Sequence, residues 1–308
     1  MSFLLPIASD IPPRVVFLSC DSGGGHNAVA QSMIDGMQRH TGVDARVLNV
    51  YQTRTQQIWP LLARIRAKTQ TVWKAIYRVT DRHWVIRSVW KTLRPSFLGP
   101  LAKAVNGQDD QARPDIVVAV HHASAQCLES LANRFDRRPM TVVCVTDYEV
   151  HANWIANADL YLAGSDSVYR KLTAEGKRVA RLPMLPCRAP KFVTPKSVAR
   201  EGDFLKILMV MGLEGSSRHK AKRIINQLLR SSGDVQVKVD VICGRNAKLK
   251  AELARIYQNE GAICVHGFVD DIPERMQMAN LALIRLSPNT MTEALAAGTP
   301  VIGFDWHV

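Results

Sequence analysis

VVFLSCDSGGGHNAVAQSM, residues 15–33, decides the architecture. VVFLSC (15–20) is a short, nearly continuous apolar run, and it is broken by the turn Asp21-Ser22-Gly23-Gly24-Gly25-His26. Helical spacing then runs from about His26 to His40. A strand apolar along its whole length is buried on both faces, which is the mark of a parallel sheet wrapped by helices. Working outward, ARVLNV (45–50), DIVVAV (115–120), MTVVCVTD (140–147) and DLYLAGS (159–165) read as further strands of the same sheet. LPCRAPKFVTPKSVAREGD (185–203) loses periodicity and carries three prolines, so a linker is placed there. The pattern then restarts. LKILMVMG (205–212), VKVDVICG (237–244), AICVHG (262–267), LALIRL (281–286) and PVIGF (300–304) are strands, with helices near 218–231, 246–259, 272–279 and 290–297. The fold class is α/β, with two Rossmann-like, doubly wound domains at 1–190 and 204–308, joined by a linker at 191–203. They are expected to face each other across a cleft. Ligands in such sheets bind beyond the carboxyl ends of the strands.

Composition excludes several classes. With 308 residues, 47% hydrophobic and 22% charged, the chain has the make-up of a globular protein and the length of two domains. It contains no run of eighteen apolar residues, and its opening MSFLLPIASDIPPR is too short and lacks the basic start of a secretory signal. A cytoplasmic protein is expected. The six cysteines include no C-x-x-C pair, so neither disulfides nor a metal site is expected.

The net charge of +13 is concentrated. From Arg54 to Lys103, eleven basic residues stand against one acid, Asp81, for a local charge of +10. Four of the six tryptophans, Trp59, Trp73, Trp84 and Trp90, lie in the same window. Basic residues beside interfacial aromatics suit an anionic membrane surface. Nucleic acid is the other polyanion such a patch meets, and the helix-borne tryptophans favour the membrane reading over it.

Three strand ends carry candidate chemistry. Gly23, Gly24 and Gly25 let the backbone approach a ligand, and the helix N-terminus behind them offers free N–H groups. Gly23-x-Gly25-x-x-Ala28 fits a loose dinucleotide fingerprint, but the acid expected to hold a ribose is missing where strand two ends in Asn49, so a nicotinamide enzyme is disfavoured. His26, His121 with His122, and Asp147 with His151 follow three separate strands that converge on one rim. An imidazole near neutrality accepts a proton and a carboxylate orients it. His40, His83, His219 and His266 read as structural. In the second domain, Met211–Ser217 suits a diphosphate and Gly267-Phe268 a flat base. Glu293 is either a ribose ligand or a solvated helix position. No Walker A lysine, G-x-S-x-G or H-E-x-x-H motif occurs.

In order, SCDSGGGHNAVAQSM, VTDYEVHANWIANADLYLAGSDSV, LPCRAPKF, VICGRNAKL, HGFVDDIPERMQMANLALI and TEALAAGTPVI resemble the monogalactosyldiacylglycerol synthase and processive diacylglycerol glucosyltransferase family of GT-B glycosyltransferases. The resemblance implies an inverting, metal-independent transfer of a hexose from UDP-glucose or UDP-galactose to diacylglycerol or a related lipid, with no further cofactor. It implies peripheral attachment to the inner face of the cell membrane through Trp59, Arg64, Arg66, Trp73, Arg87 and Trp90. It makes His26 and Asp147 catalytic and puts Gly24, Gly25, His121, His151 and Trp154 on the acceptor side. Gly212, Glu214, Gly215 and Ser216 would meet the diphosphate, Phe268 and Val269 the uracil, and Thr290 and Glu293 the phosphate and ribose. A polyprenyl-linked acceptor, or a silent UDP-sugar-binding protein, is the alternative.

The chain departs from the family pattern in three places. Glycines usual before the Glu-bearing helix are replaced by Arg285-Leu286-Ser287-Pro288-Asn289, Met184 stands for a glycine, and Asn49 stands for an acid. Family members also continue past the position of Val308 through a donor-contacting segment. The second domain is therefore expected to be incomplete and the activity of this chain low.

Overall fold

A computed structural model describes residues 12–20, 25–49, 113–135, 137–188, 204–211, 218–231 and 235–306, and between these 75, 78–82, 88, 91, 102 and 105. Two compact units result, Met1–Pro186 and Cys187–Val308. The division falls just before Cys187, and Arg188, expected within the first domain at 1–190, bonds within the second unit, to Glu293 and to the Asp270 carbonyl. The linker expected at 191–203 lies outside the described residues.

The first unit runs β1 (Arg14–Ser19), α1 (Gly25–Thr41), β2 (Asp44–Asn49), β3 (Ile116–Ala119), α2 (His122–Ala132), β4 (Met140–Val145), a single 3-10 turn (Ala152–Trp154), β5 (Leu160–Ala163), α3 (Asp166–Ala174) and β6 (Val179–Arg181). The strands pair in parallel in the order β2-β1-β3-β4-β5-β6. Alternation along each strand feeds two cores. Val15, Phe17, Val118, Val120, Val142 and Cys144 pack with Val29, Ala30 and Ile34 of α1 on one face. Val16, Leu18, Val117, Ala119, Val143 and Val145 pack with Leu128 and Leu131 of α2 on the other. Helix α1 stops where Gly42 turns left-handed at φ 60, with Arg39 and His40 set against its negative end.

The second unit runs β7 (Phe204–Val210), α4 (Arg218–Ser231), β8 (Gln236–Ile242), α5 (Ala247–Ile256), β9 (Ile263–His266), α6 (Ile272–Met278), β10 (Leu281–Leu286), α7 (Pro288–Ala296) and β11 (Val301–Trp306). Its parallel order is β11-β10-β7-β8-β9. Ile207, Met209, Val239 and Val241 face α4 and α5, whereas Leu208, Val210, Ile242 and Ile284 face α6 and α7.

Strand order reverses once in each sheet, between β1 and β3 in the first and between β7 and β10 in the second. The crevice beyond the carboxyl ends at such a reversal is where doubly wound sheets bind ligands. Helices α2 and α3 and the three-residue strand β6 were not marked out by the sequence pattern.

Candidate active site

The reversal in the first sheet brings two chain segments together, the residues after β1 and those after β3. His26 is the second residue of α1, and His121 caps α2, accepting from the Ala123 N–H at 3.1 Å. Their rings meet edge to face with centroids 4.7 Å apart. His122 stands against His121 at 4.0 Å and 6.1 Å from Trp154. The indole N–H of Trp154 donates to Asp147 Oδ2 at 2.7 Å. A row of His26, His121, His122, Trp154 and Asp147 therefore joins the ends of β1, β3 and β4. Of the residues expected here, Gly25, His26, His121, Asp147, His151 and Trp154 are described and lie together on this rim. Gly24 is outside the described residues.

His26 is oriented by hydrogen bonds from β3 and β4. Nδ1 lies 2.9 Å from the Val120 carbonyl and 3.0 Å from the Thr146 hydroxyl, which itself lies 3.5 Å from that carbonyl. A carbonyl only accepts, so Nδ1 carries the ring proton and Nε2 is left as an acceptor. Burial lowers the pKa of His26, opposed by the charge of Asp147 and by the Val120 bond. Burial together with neighbouring imidazoles pushes His121 well down and His122 down to about 3. All three rings are thus neutral near pH 7. His122 Nδ1 is buried and has no hydrogen-bond partner among the described residues.

His151 has a contact at each ring nitrogen. Its Nδ1 accepts from the Asn153 N–H at 3.1 Å, and its Nε2 lies 3.4 Å from the Thr80 hydroxyl and 3.9 Å from Asp81. Asp81, the one acid of the basic window, also accepts from the Ala152 N–H at 2.8 Å. That window is thereby attached beside the histidine row. Trp59, Arg64, Arg66, Trp73, Arg87 and Trp90 all lie outside the described residues.

In the second unit the reversal lies between β7 and β10. The diphosphate candidates Gly212, Glu214, Gly215 and Ser216 are outside the described residues. Ser287 caps α7 and donates to Thr290 Oγ1 at 2.9 Å. Glu293 is no solvated helix position: it is 2% exposed, and Arg188 Nε donates to it at 3.3 Å. Burial raises its pKa, opposed by Arg188 and by a bond from Asn289. Asn289 Oδ1 is itself buried without a donor among the described residues. Phe268 stands 57% exposed past the end of β9 with Arg245 5.4 Å from its ring, while Val269 turns inward onto the α6 core.

Sequence reasoning named His122 without a role and missed Thr146 and Arg188. The two missed residues had visible signals, in the V-T-D run and the LPCRAP motif. Among the described residues, two sets bring three ligand-type atoms within 4.8 Å of one another, Cys20 with His26 and His121, and Asp240 with Cys264 and His266.

Known protein families match the chain in two successive segments. The monogalactosyldiacylglycerol (MGDG) synthase profile matches residues 26–183, just over half of the chain, and the profile of glycosyl transferases group 1 matches 216–308. The chain is 27% identical over 324 residues to a probable monogalactosyldiacylglycerol synthase 3 of Oryza sativa subsp. japonica, covering 97% of itself and 62% of that protein. It is 25% identical over 305 residues to the processive diacylglycerol beta-glucosyltransferase of Bacillus subtilis strain 168, covering 94% of itself and 76% of that protein. It thus spans less than two thirds of the rice relative. Among solved structures, the S. aureus MnaA–UDP co-structure matches with TM-score 0.57 at 12% identity, over 95% of this chain and 79% of that one. A UDP-glucosyltransferase from Polygonum tinctorium matches with TM-score 0.55 at 12% identity, over 97% and 82%. These two likenesses concern the fold, which is that of GT-B proteins. No helix among the described residues is long and apolar enough to cross a membrane. With its histidine row inside the matched segment and the glycosyltransferase profile following it, the chain belongs to the monogalactosyldiacylglycerol (MGDG) synthase family.

Proposed function

We propose that the protein transfers a hexose from UDP-glucose or UDP-galactose to a hydroxyl of diacylglycerol or a related lipid, with inversion and without a catalytic metal. The observation that carries this is the fixed tautomer of His26. With Nδ1–H donating to the Val120 carbonyl, Nε2 is the atom free to take the acceptor's hydroxyl proton. The resulting alkoxide-like oxygen attacks the anomeric carbon as the bond from that carbon to the UDP oxygen breaks. Asp147, held by Trp154, supplies the negative charge that favours the imidazolium as it forms. The unmet Nδ1 of His122 suits a hydrogen-bond donor on the bound substrate.

On the second unit, Glu293 and Asn289 Oδ1 are two buried acceptors side by side, the pattern that the two hydroxyls of a ribose fit. Phe268 offers a flat exposed face to uracil, and Gly212, Glu214, Gly215, Ser216 and the α7 start with Thr290 are assigned to the phosphates. The names of the plant and Bacillus relatives support the lipid acceptor. The basic, Trp-bearing window is assigned to an anionic bilayer on the inner face of the cell membrane.

The test is glycolipid formation from UDP-glucose or UDP-galactose with diacylglycerol in anionic vesicles. His26→Ala is expected to lower the rate about 10²–10⁴-fold, and a loss under about tenfold would remove His26 as the base. Replacing Arg64, Arg66 and Arg87 by Gln is expected to reduce flotation with those vesicles; undiminished flotation would refute the membrane role. A second reading, a silent UDP-sugar-binding protein, is favoured by the Arg188 side chain already on Glu293. Saturable UDP binding with no product from either sugar would establish it.

A further inference from the structure

Strand β9 is the outer strand of the second sheet, and one of its faces gathers three metal-ligating chemistries. Register sets Asp240 of β8 directly beside Cys264 of β9. The two-residue alternation of a strand then puts His266 on the same face as Cys264. The opposite face is apolar, with Val239, Val241, Ile263 and Val265 packed into the α4/α5 core. The side-chain atoms of Asp240, Cys264 and His266 lie within 4.8 Å of one another, and His266 Nε2 is 3.1 Å from Asp240 Oδ1. All six cysteines are described, and Cys264 is the exposed one.

We propose that Asp240, Cys264 and His266 form a binding site for a borderline-soft divalent cation of the zinc type, separate from the transfer chemistry and independent of the functional reading above. One carboxylate oxygen, one thiolate sulfur and one imidazole nitrogen are the mixed donor set zinc takes, and three protein ligands leave a fourth tetrahedral position for water. Two neighbouring strands provide the geometry: two ligands two residues apart on one strand, and a third in register on the next. Carboxylate and thiolate together match the ion's charge of two. A nearby cation, Arg275, is already paired with Asp271 at 2.7 Å, so that pair adds little net charge. On binding, Cys264 releases its thiol proton to solvent and His266 exchanges its contact with Asp240 for the metal.

The experiment titrates the full chain with Co²⁺, whose thiolate charge-transfer and visible bands report ligand type and geometry, and then displaces it with Zn²⁺. The expected result is one equivalent with a cobalt–thiolate band that Cys264→Ser abolishes and Cys20→Ser leaves intact. His266→Ala and Asp240→Asn should each weaken Co²⁺ binding at least about tenfold, with circular dichroism unchanged. Absence of the band in the unmodified protein overturns the proposal. So does a band lost in Cys20→Ser but kept in Cys264→Ser, which would put the cation at the histidines of the first unit.

Discussion

Acidification from pH 7 to pH 5 should loosen the first unit far more than the second. His121 and His122 are held neutral by burial, His122 with a pKa near 3 against an ordinary 6.5. Their folded pKa values lie below the unfolded ones, so the unfolded chain binds more protons as pH falls below 6.5, and stability drops until the folded values are reached. For His122 the loss between pH 7 and pH 5 is about 2 kcal/mol, and His121 adds to it in the same direction. His26 adds a smaller share because Asp147 and the Val120 carbonyl oppose its shift. The carboxylates with lowered pKa, Asp159 and Asp271, stay ionised in this window and do not mask the effect. Native-state hydrogen exchange of peptides from β3 and α2 reads the first unit alone. Their opening free energy should fall by at least about 2 kcal/mol, and His122→Asn should recover about 2 kcal/mol of the fall. An opening energy that changes by less than about 1 kcal/mol, or variant and parent that respond identically, would refute the claim that the histidine row is buried uncharged.

Trp154→Phe keeps a ring but withdraws the donor from Asp147. It should cost about 1–3 kcal/mol in the same exchange measurement and slow glycolipid formation, and parental stability would count against the indole–carboxylate bond. Arg188→Ala leaves buried Glu293 with one less positive partner. Because Arg188 is 40% exposed, the cost at pH 8 is about 1 kcal/mol. Glu293 has a raised pKa and takes up a proton in acid, so the loss should be smaller at pH 5. Calorimetric melting of the second unit checks this, and equal losses at both pH values would contradict it.

The strands were legible because both faces of each sheet are covered, which writes uninterrupted apolar runs such as VVFLS and LALIRL. Helix α2 was not, because its buried side carries polar residues. Ser124 donates to the Leu18 and His121 carbonyls, and Gln126 to the Asn153 and Ile155 carbonyls, so the apolar period is broken where the helix is most buried. Strand β6 has three residues and too little pattern to read. At the site, a glycine run ahead of His26 announced the imidazole but not its partner. Residue type carries no record of which main-chain oxygen a ring will meet, and Val120 lies 94 residues away. The burial of Glu293 was hidden for the same reason, since Arg188 is 105 positions distant.

That His26 leans on a peptide oxygen has a consequence for anyone wishing to retune its basicity. In a carboxylate-supported base, swapping the acid adjusts basicity in one step. Here the hydrogen-bonded support belongs to the main chain at β3's exit, which no codon change deletes, and the acid, Asp147, acts on the ring through its charge. Two side chains remain as handles, the Asp147 carboxylate and the Thr146 hydroxyl, which lies beside both the ring and the carbonyl.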